Sequence, residues 1–236
     1  MALMASLRHS APVDPREQPA YPLSEAARYL KLPAATLRSW TLGRPYPTAS
    51  GGRVFQPILR PAQVRPPLLS FWNLVEAHVL RALRSEHGVS VDSVRKAVEY
   101  AEQTLHIERL LLRPELRADA GRLFLQRYGE LINLSASGQL AMHQLLTAHL
   151  KRIEWDDARL PMRLHPFLLG DVAGGDMPIA IDPRISFGRP VVLSRGISTA
   201  AIASRIDAGE SPADVADDYD LTTEDVERAV VYERAA

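Results

Sequence analysis

Residues 21–55, YPLSEAARYLKLPAATLRSWTLGRPYPTASGGRVF, constrain the fold of this chain more than any other stretch. They spell a short helix, a tight turn, a second helix and a glycine hairpin flanked by arginines. Ala26, Ala27 and Leu30 give the first helix an apolar stripe, and Ser24 is placed to cap it. Leu32-Pro33 breaks that helix, and Pro33 suits the first turn of the next. In the second helix Leu37 and Trp40 share one face at i, i+3, which turns Thr36, Arg38 and Ser39 the other way. Gly51-Gly52 supply the positive φ angles of a tight hairpin, with Arg44 and Arg53 beside it. The pattern is that of a winged helix-turn-helix. A helix that reads a duplex groove needs an apolar side to dock it and a short polar or arginine side to reach base edges and phosphates. Thr36, Arg38 and Ser39 are therefore expected at bases or phosphates, and Arg44 and Arg53 on the backbone beside them. A plain helical pair with a solvated polar face is the competing reading.

A chain of 236 residues can form one large domain or two to three small ones. The absence of cysteine excludes disulfides, thiolate chemistry and zinc–cysteine sites and fits a reducing cytoplasm. The apolar runs fall far short of the ~18–20 residues of a membrane span. Residues 1–20 lack the apolar core of a signal peptide and read as a loose, proline-dotted tail. The net charge of zero hides an asymmetry. Residues 1–100 hold 13 Lys+Arg against 7 Asp+Glu, whereas residues 171–236 hold 6 against 13. The basic front favours a polyanion through counterion release, and the acidic end would be repelled by one.

Proline punctuates the chain after the glycine hairpin. Pro57, Pro61, Pro66 and Pro67 forbid a helix through 55–71, so that stretch is expected to be an extended connector. Ser70 then opens a helix over 71–87 that Gly88 stops. Its apolar stripe is wider than one small domain needs, which predicts a dimer seam. Ser90 opens another helix to about Thr104. Two strand-like runs around Tyr128-Gly129-Glu130 predict a hairpin, and Gly138 precedes a helix. RLPMRLHPFL reads as a strand with proline at its ends, and GDVAGGDMP, residues 170–178, as a linker. Beyond it, 179–181 and 190–193 read as short strands and 198–208, 211–219 and 222–234 as helices. Gly209 ends the first, Ser211-Pro212 opens the second, and Thr222 with Glu224 and Asp225 opens the third. The expected organisation is a flexible tail (1–20), a winged helix-turn-helix with a helical extension (21–104), a hairpin-helix middle segment (105–169), a linker (170–178) and a trihelical, helix-turn-helix-like domain (179–236). The fold class is mainly α with small β-hairpins.

Two stretches resemble known families. SEAARYL, TLRSW and the arginine-flanked glycine turn are similar to the MerR-type winged helix-turn-helix. IDPRISFGRPVV, the R-G-I-S-T turn, AGESPADVADDY and LTTEDVERAVVYE closely resemble a small domain found beside PIN-domain ribonuclease toxins and grouped with VapB-type antitoxins. With its MerR-like front and this tail, the chain looks like a long VapB-family antitoxin. The resemblance implies a transcriptional autorepressor, acting as a dimer on operator DNA, that also neutralises a cognate PIN-domain toxin. Toxin active sites of that family are acidic, which makes Arg189 and Arg195 candidate partner-binding residues. A MerR-like one-component regulator and a protein-interaction module that never touches DNA are the alternatives.

No catalytic constellation is found. Histidines 9, 78, 87, 106, 143, 149 and 165 show neither HExxH nor i, i+4 pairing. His143 and His149 lie on different faces of one expected helix. GDVAGGD lacks the Lys-Ser/Thr of a phosphate loop, and Ser194 and Ser198 have no His-Asp partners nearby. The chain is expected to be no enzyme, with no metal and no cofactor. Arg184, Arg189, Arg195 and Arg205 are expected to pair with the local acids of the last domain.

Overall fold

In the computed structural model, described for residues 14–48, 51–84, 91–117, 119–132, 136–167 and 176–235, the chain is mostly helical with small antiparallel sheets. Strand β1 (Tyr21–Pro22) leads into α1 (Leu23–Tyr29) and α2 (Ala34–Leu42), then the ribbon β2 (Arg44–Thr48) and β3 (Gly51–Phe55). Strand β4 (Leu68–Leu69) returns to pair with β1. Four helices come next: α3 (Phe71–Arg84), α4 (Val91–Leu105), α5 (Asp119–Ile132) and α6 (Ala136–Leu150). A hairpin of β5 (Ile153–Trp155) and β6 (Pro161–Leu164) precedes a three-stranded sheet of β7 (Ile179–Ala180), β8 (Val191–Val192) and β9 (Ile197–Ser198). Helices α7 (Thr199–Asp207), α8 (Pro212–Tyr219) and α9 (Thr223–Arg234) close the chain.

Helix α3 is the centre of the core. Phe71, Leu74, Val75, Ala77, Val79 and Ala82 are wholly buried, and α6, the turn at Leu110–Leu112, β4 and β6 pack round it. The wide apolar stripe that predicted a dimer seam is thus covered within the chain by α6, the turn at Leu110–Leu112, β4 and β6. Its start is closed reciprocally. The Ser70 hydroxyl accepts the Asn73 amide proton at 3.2 Å, and Asn73 Oδ1 accepts from the Ser70 amide at 3.1 Å.

The hairpin expected around Tyr128-Gly129 is instead the continuous helix α5, packed along α4 with Phe124 fully buried. Short apolar runs suit either period, and the long facing helix α4 decides for 3.6. Gly138 falls inside α6 rather than ahead of it, Ser24 falls inside α1, and Pro22 stands at the α1 N-cap without a side-chain hydrogen bond. The 170–178 linker lies outside the described residues except for 176–178, as do Gly88 and Ser90. The three final helices fall where expected. Ser211 accepts from the Asp214 amide, and Thr222 with Asp225 forms a complete capping box. Val192, Ile202, Val215, Ala216, Val226 and Ala229 form a small core of their own. Among the described residues no helix is long and apolar enough to cross a membrane.

Two histidines sit in the main core. His78 Nε2 donates to the His149 carbonyl at 3.0 Å, and His149 Nδ1 donates to the Leu145 carbonyl at 3.0 Å; carbonyl acceptors fix both tautomers. Phe167 packs on both rings, and Arg152 lies 4.1 Å from its centroid. Burial, with His149 alongside, holds His78 well below the ordinary histidine range, and burial pushes His149 down to about 4. Both therefore stay neutral in the folded protein, whereas the unfolded chain takes up these protons below about pH 6.5. The unfolded state then binds more protons, so stability present above about pH 6.5 is lost as pH falls towards 4. In urea unfolding, His149→Gln should flatten the decline across that window by about 1.4 kcal/mol per pH unit; an unchanged slope would contradict the buried neutral pair.

Candidate nucleic-acid interface

The helix-turn-helix is docked by a few side chains. Leu37 and Trp40 are buried beneath α2, and α1 contributes Ala26, Ala27, Tyr29 and Leu30. The Thr41 hydroxyl donates back to the Leu37 carbonyl at 2.9 Å. The Trp40 carbonyl accepts the amide protons of both Ile58 (2.8 Å) and Leu59 (2.9 Å), tying the returning connector to the end of α2. That connector holds no helix, as its prolines require, but it is not extended throughout: it bends and turns back over residues 64–67 so that Gln63 and Leu68 bridge.

The turn out of α1 is a complete accounting of its last four carbonyls. Lys31, in the left-handed region at φ 52°, donates to Arg28, and Leu32 donates to Ala27 at 2.9 Å. The remaining two are served from far away. The Tyr232 hydroxyl of α9 donates to the Tyr29 carbonyl at 2.9 Å, and Arg81 of α3 donates to the Leu30 carbonyl at 2.8 Å. Helix α9 adds Glu233, which pairs with Arg28 at 2.7 Å and accepts from Thr199, and Lys31 lies 4.0 Å from the Tyr232 ring and donates to the Tyr232 carbonyl. The C-terminal unit thus grips the far end of α1, leaving α2 to project.

The outward face of α2 carries Ala34, Ala35 and Arg38, all exposed, with Thr36 and Ser39 half-buried at its margins. Arg44, at the start of β2, is also exposed. Among the described residues no acidic side chain pairs with Arg38 or Arg44, in a molecule whose other arginines are mostly paired. Arg53 occupies the rung opposite Tyr46 in β3, and its side chain lies outside the described residues. The ribbon register corrects the expected turn. Thr48 pairs with Gly51 and Pro47 with Gly52, so the glycines open β3 and the connection is residues 49–50, outside the described residues. Pro45 and Pro47 explain this register. Neither has an N–H, so both must face away from β3, which places residues 44, 46 and 48 at the hydrogen-bonded rungs. The same two prolines blunt the ribbon's free edge.

The other arginines behave differently. Arg184 wraps Asp182, Arg205 holds Glu210 and Asp218, and Arg195 holds Asp220 through both its Nε and Nη2. These are the expected local pairs. Arg189 is exposed and makes no ion pair among the described residues. Sequence reasoning missed the contact that seats the sheet of the C-terminal unit on β1: the Tyr21 ring ends against Gly188, which is buried at φ 74°. Nothing in the local pattern of either residue signals the other, because 167 positions separate them.

Residues 19–98 match the family model described as "Putative DNA-binding HTH domain", and residues 179–232 match the one described as "Protein of unknown function (DUF433)". The chain is similar to a Mycobacterium tuberculosis (strain ATCC 25618 / H37Rv) protein named "Putative antitoxin VapB45", at 29% identity over 90% of this chain and 92% of that protein. It is also similar to "Uncharacterized protein Rv2308" of the same strain, at 28% identity over 90% of this chain and 89% of that one. The crystal structure of Rv2018 from M. tuberculosis shares the fold, with a TM-score of 0.65 at 24% identity over 90% of this chain and 97% of that one.

The Tyr21–Gly188 seat is open to a direct test. A Cβ on Gly188 would lie 2.0 Å from the Tyr21 hydroxyl oxygen, whereas one on Gly209, also at positive φ, meets nothing within 4 Å. Both alanine variants carry the left-handed strain of about 1–2 kcal/mol; Gly188→Ala should lose clearly more in urea unfolding. Equal losses would mean that the seat yields freely.

Proposed function

We propose that this protein is a DNA-binding antitoxin: a cytoplasmic, non-enzymatic regulator that represses its own operon as a homodimer and holds a PIN-domain ribonuclease toxin inactive. The observation that carries the DNA half is the outward face of α2. Arg38, on a helix fixed from behind by Leu37 and Trp40, and Arg44, at the start of β2, stand in solvent with no carboxylate among the described residues to neutralise them. A charged group held rigid and left unpaired at a surface is what a phosphate contact requires. Thr36, Arg38 and Ser39 would meet base edges or phosphates, and Arg44 and Arg53 the flanking backbone, in the MerR-like manner of a helix and its adjoining ribbon. The matching DNA-binding family model over residues 19–98 supports the same assignment.

The antitoxin half draws on the similarity to the M. tuberculosis protein of that name. In this reading, residues 21–104 carry the winged unit with its helical extension, 105–169 the middle segment, and 179–236, beyond the 170–178 linker, the partner-facing unit. The separate small core of the C-terminal helices supports that division. Its excess of acids keeps it off the duplex. Arg189 and Arg195 are its candidate partner-binding residues. Arg195 is exposed, and an exposed ion pair such as its pair with Asp220 stabilises by only ~0–1 kcal/mol, so it can be exchanged for a partner's carboxylate.

A gel shift with the duplex upstream of the protein's own gene tests the DNA half. Arg38→Ala and Arg53→Ala should each weaken binding, and each lost phosphate contact should lower the log–log salt slope by about 0.9. Wild-type affinity and slope in both variants would overturn it.

A further inference from the structure

We propose that Phe187 is the anchor by which this protein binds a protein partner, entering an apolar slot on that partner that is rimmed by carboxylates facing Arg189. The proposal rests on the reading above that the C-terminal unit faces a protein.

Phe187 is 92% exposed, a large aromatic side chain that no described residue covers. It stands in an unfavourable backbone as well. Ser186, Phe187 and Gly188 run consecutively through the left-handed region at φ 50°, 56° and 74°. Two non-glycine residues there cost roughly 1–2 kcal/mol each, and a bulky side chain is among the least suited. Folding alone gains nothing from this arrangement, since a phenylalanine in water forgoes the roughly 1.5–3 kcal/mol of its burial. Strain of this kind persists only where the surroundings enforce it.

The surroundings are rigid. Asp182 is fully buried and accepts from the Arg184 amide at 2.9 Å, from Arg184 Nε at 3.0 Å and Nη2 at 2.8 Å, and from Arg163 at 3.2 Å. The Ile185 amide donates to the Asp182 carbonyl, the Gly188 amide to Ile185, and the Arg189 amide to Ser186. Tyr21 closes the turn from behind at Gly188. The phenyl ring is thereby presented on a fixed stem, so a partner that covers it orders little further chain. Buried aromatic anchors with an arginine beside them are the side chains that dominate protein interfaces.

Charge selects the class of partner. Arg184 is neutralised by Asp182, and Arg189, two residues past the ring, is exposed without an ion pair among the described residues. One free guanidinium beside one apolar ring matches an apolar slot with a carboxylate at its lip. An unpaired base could stack on the same ring, but its phosphates would approach a unit in which acids outnumber bases 13 to 6 over residues 171–236.

The test uses the full chain and the product of the adjacent reading frame, which the reading above takes to be a PIN-domain nuclease, each purified, with affinity read by titration calorimetry. Phe187→Asn keeps a left-handed-tolerant residue, so it should leave the melting temperature unchanged or raised while weakening binding about 30-fold. Phe187→Trp should retain binding, and Arg189→Glu should weaken it. If wild-type protein does not bind the nuclease at all, the partner reading itself fails. If wild type binds and Phe187→Asn binds equally well, the anchor is overturned and the partner reading stands. Phe187-dependent binding of a fluorescent dT20 oligonucleotide would reassign the ring to a nucleic acid. A Phe187-dependent change in oligomeric state by light scattering would reassign it to a second copy; either result overturns the proposal.

Discussion

The carbonyl end of α1 is the constraint on which the rest of the arrangement depends. A seven-residue helix does not hold itself together in water, because nucleation consumes most of what its few hydrogen bonds return. Its last carbonyls must also find donors. Two are closed locally by the turn at Lys31; the other two are closed by Arg81 of α3 and Tyr232 of α9. Each buried bond contributes only about 0.5–1.5 kcal/mol, yet leaving its acceptor unpaired costs about 1–3 kcal/mol. The first helix of the pair is thereby fixed to the central helix and to the last helix of the chain at once. The second helix, seated on Leu37 and Trp40, takes its direction from the first.

Charge then divides the surface. Ion pairs are dense wherever the C-terminal unit and the β5–β6 hairpin meet: Arg163 bridges Glu154 and Asp182, and His165 lies between Glu154 and the Ile179 carbonyl. The guanidiniums there are paired with acids, Arg163 largely buried although its Nε finds no acceptor among the described residues. On α2 and at the head of the ribbon they face outward, with no acidic side chain among the described residues to pair them. A partner of negative potential is therefore attracted to the front of the molecule and repelled from its acidic tail.

Much of this was legible in the sequence wherever the signal was local. The buried pair Leu37 and Trp40, the proline-bound connector, helix α7 and the capped helices α8 and α9 are written within a few residues of where they act. What was not legible depended on distance. Helix α3 reads alone as a helix with apolar surface to spare; only the packing of α6, β4 and β6 shows where that surface goes. The runs in α5 suit a strand until α4 lies beside them. Gly51-Gly52 marked a hairpin correctly but not its turn, because the prolines at 45 and 47 set the register. Tyr232 on Tyr29, Tyr21 on Gly188 and the exposure of Phe187 are tertiary facts with no local signature. Of the candidate site, Arg38 occupies the exposed position that the i, i+3 spacing of the apolar pair implies, Thr36 and Ser39 are half-buried at its margins, and Arg44 is exposed at the start of β2.

Hydrogen exchange of the full chain, with and without the duplex from upstream of its gene, bears most directly on the outward-facing cationic edge. The account predicts slowed exchange on DNA binding confined to residues 34–44 and 51–55, with helices α7 to α9 unchanged. Protection confined to the C-terminal unit, or no change at α2 at a DNA concentration that saturates binding, would contradict it.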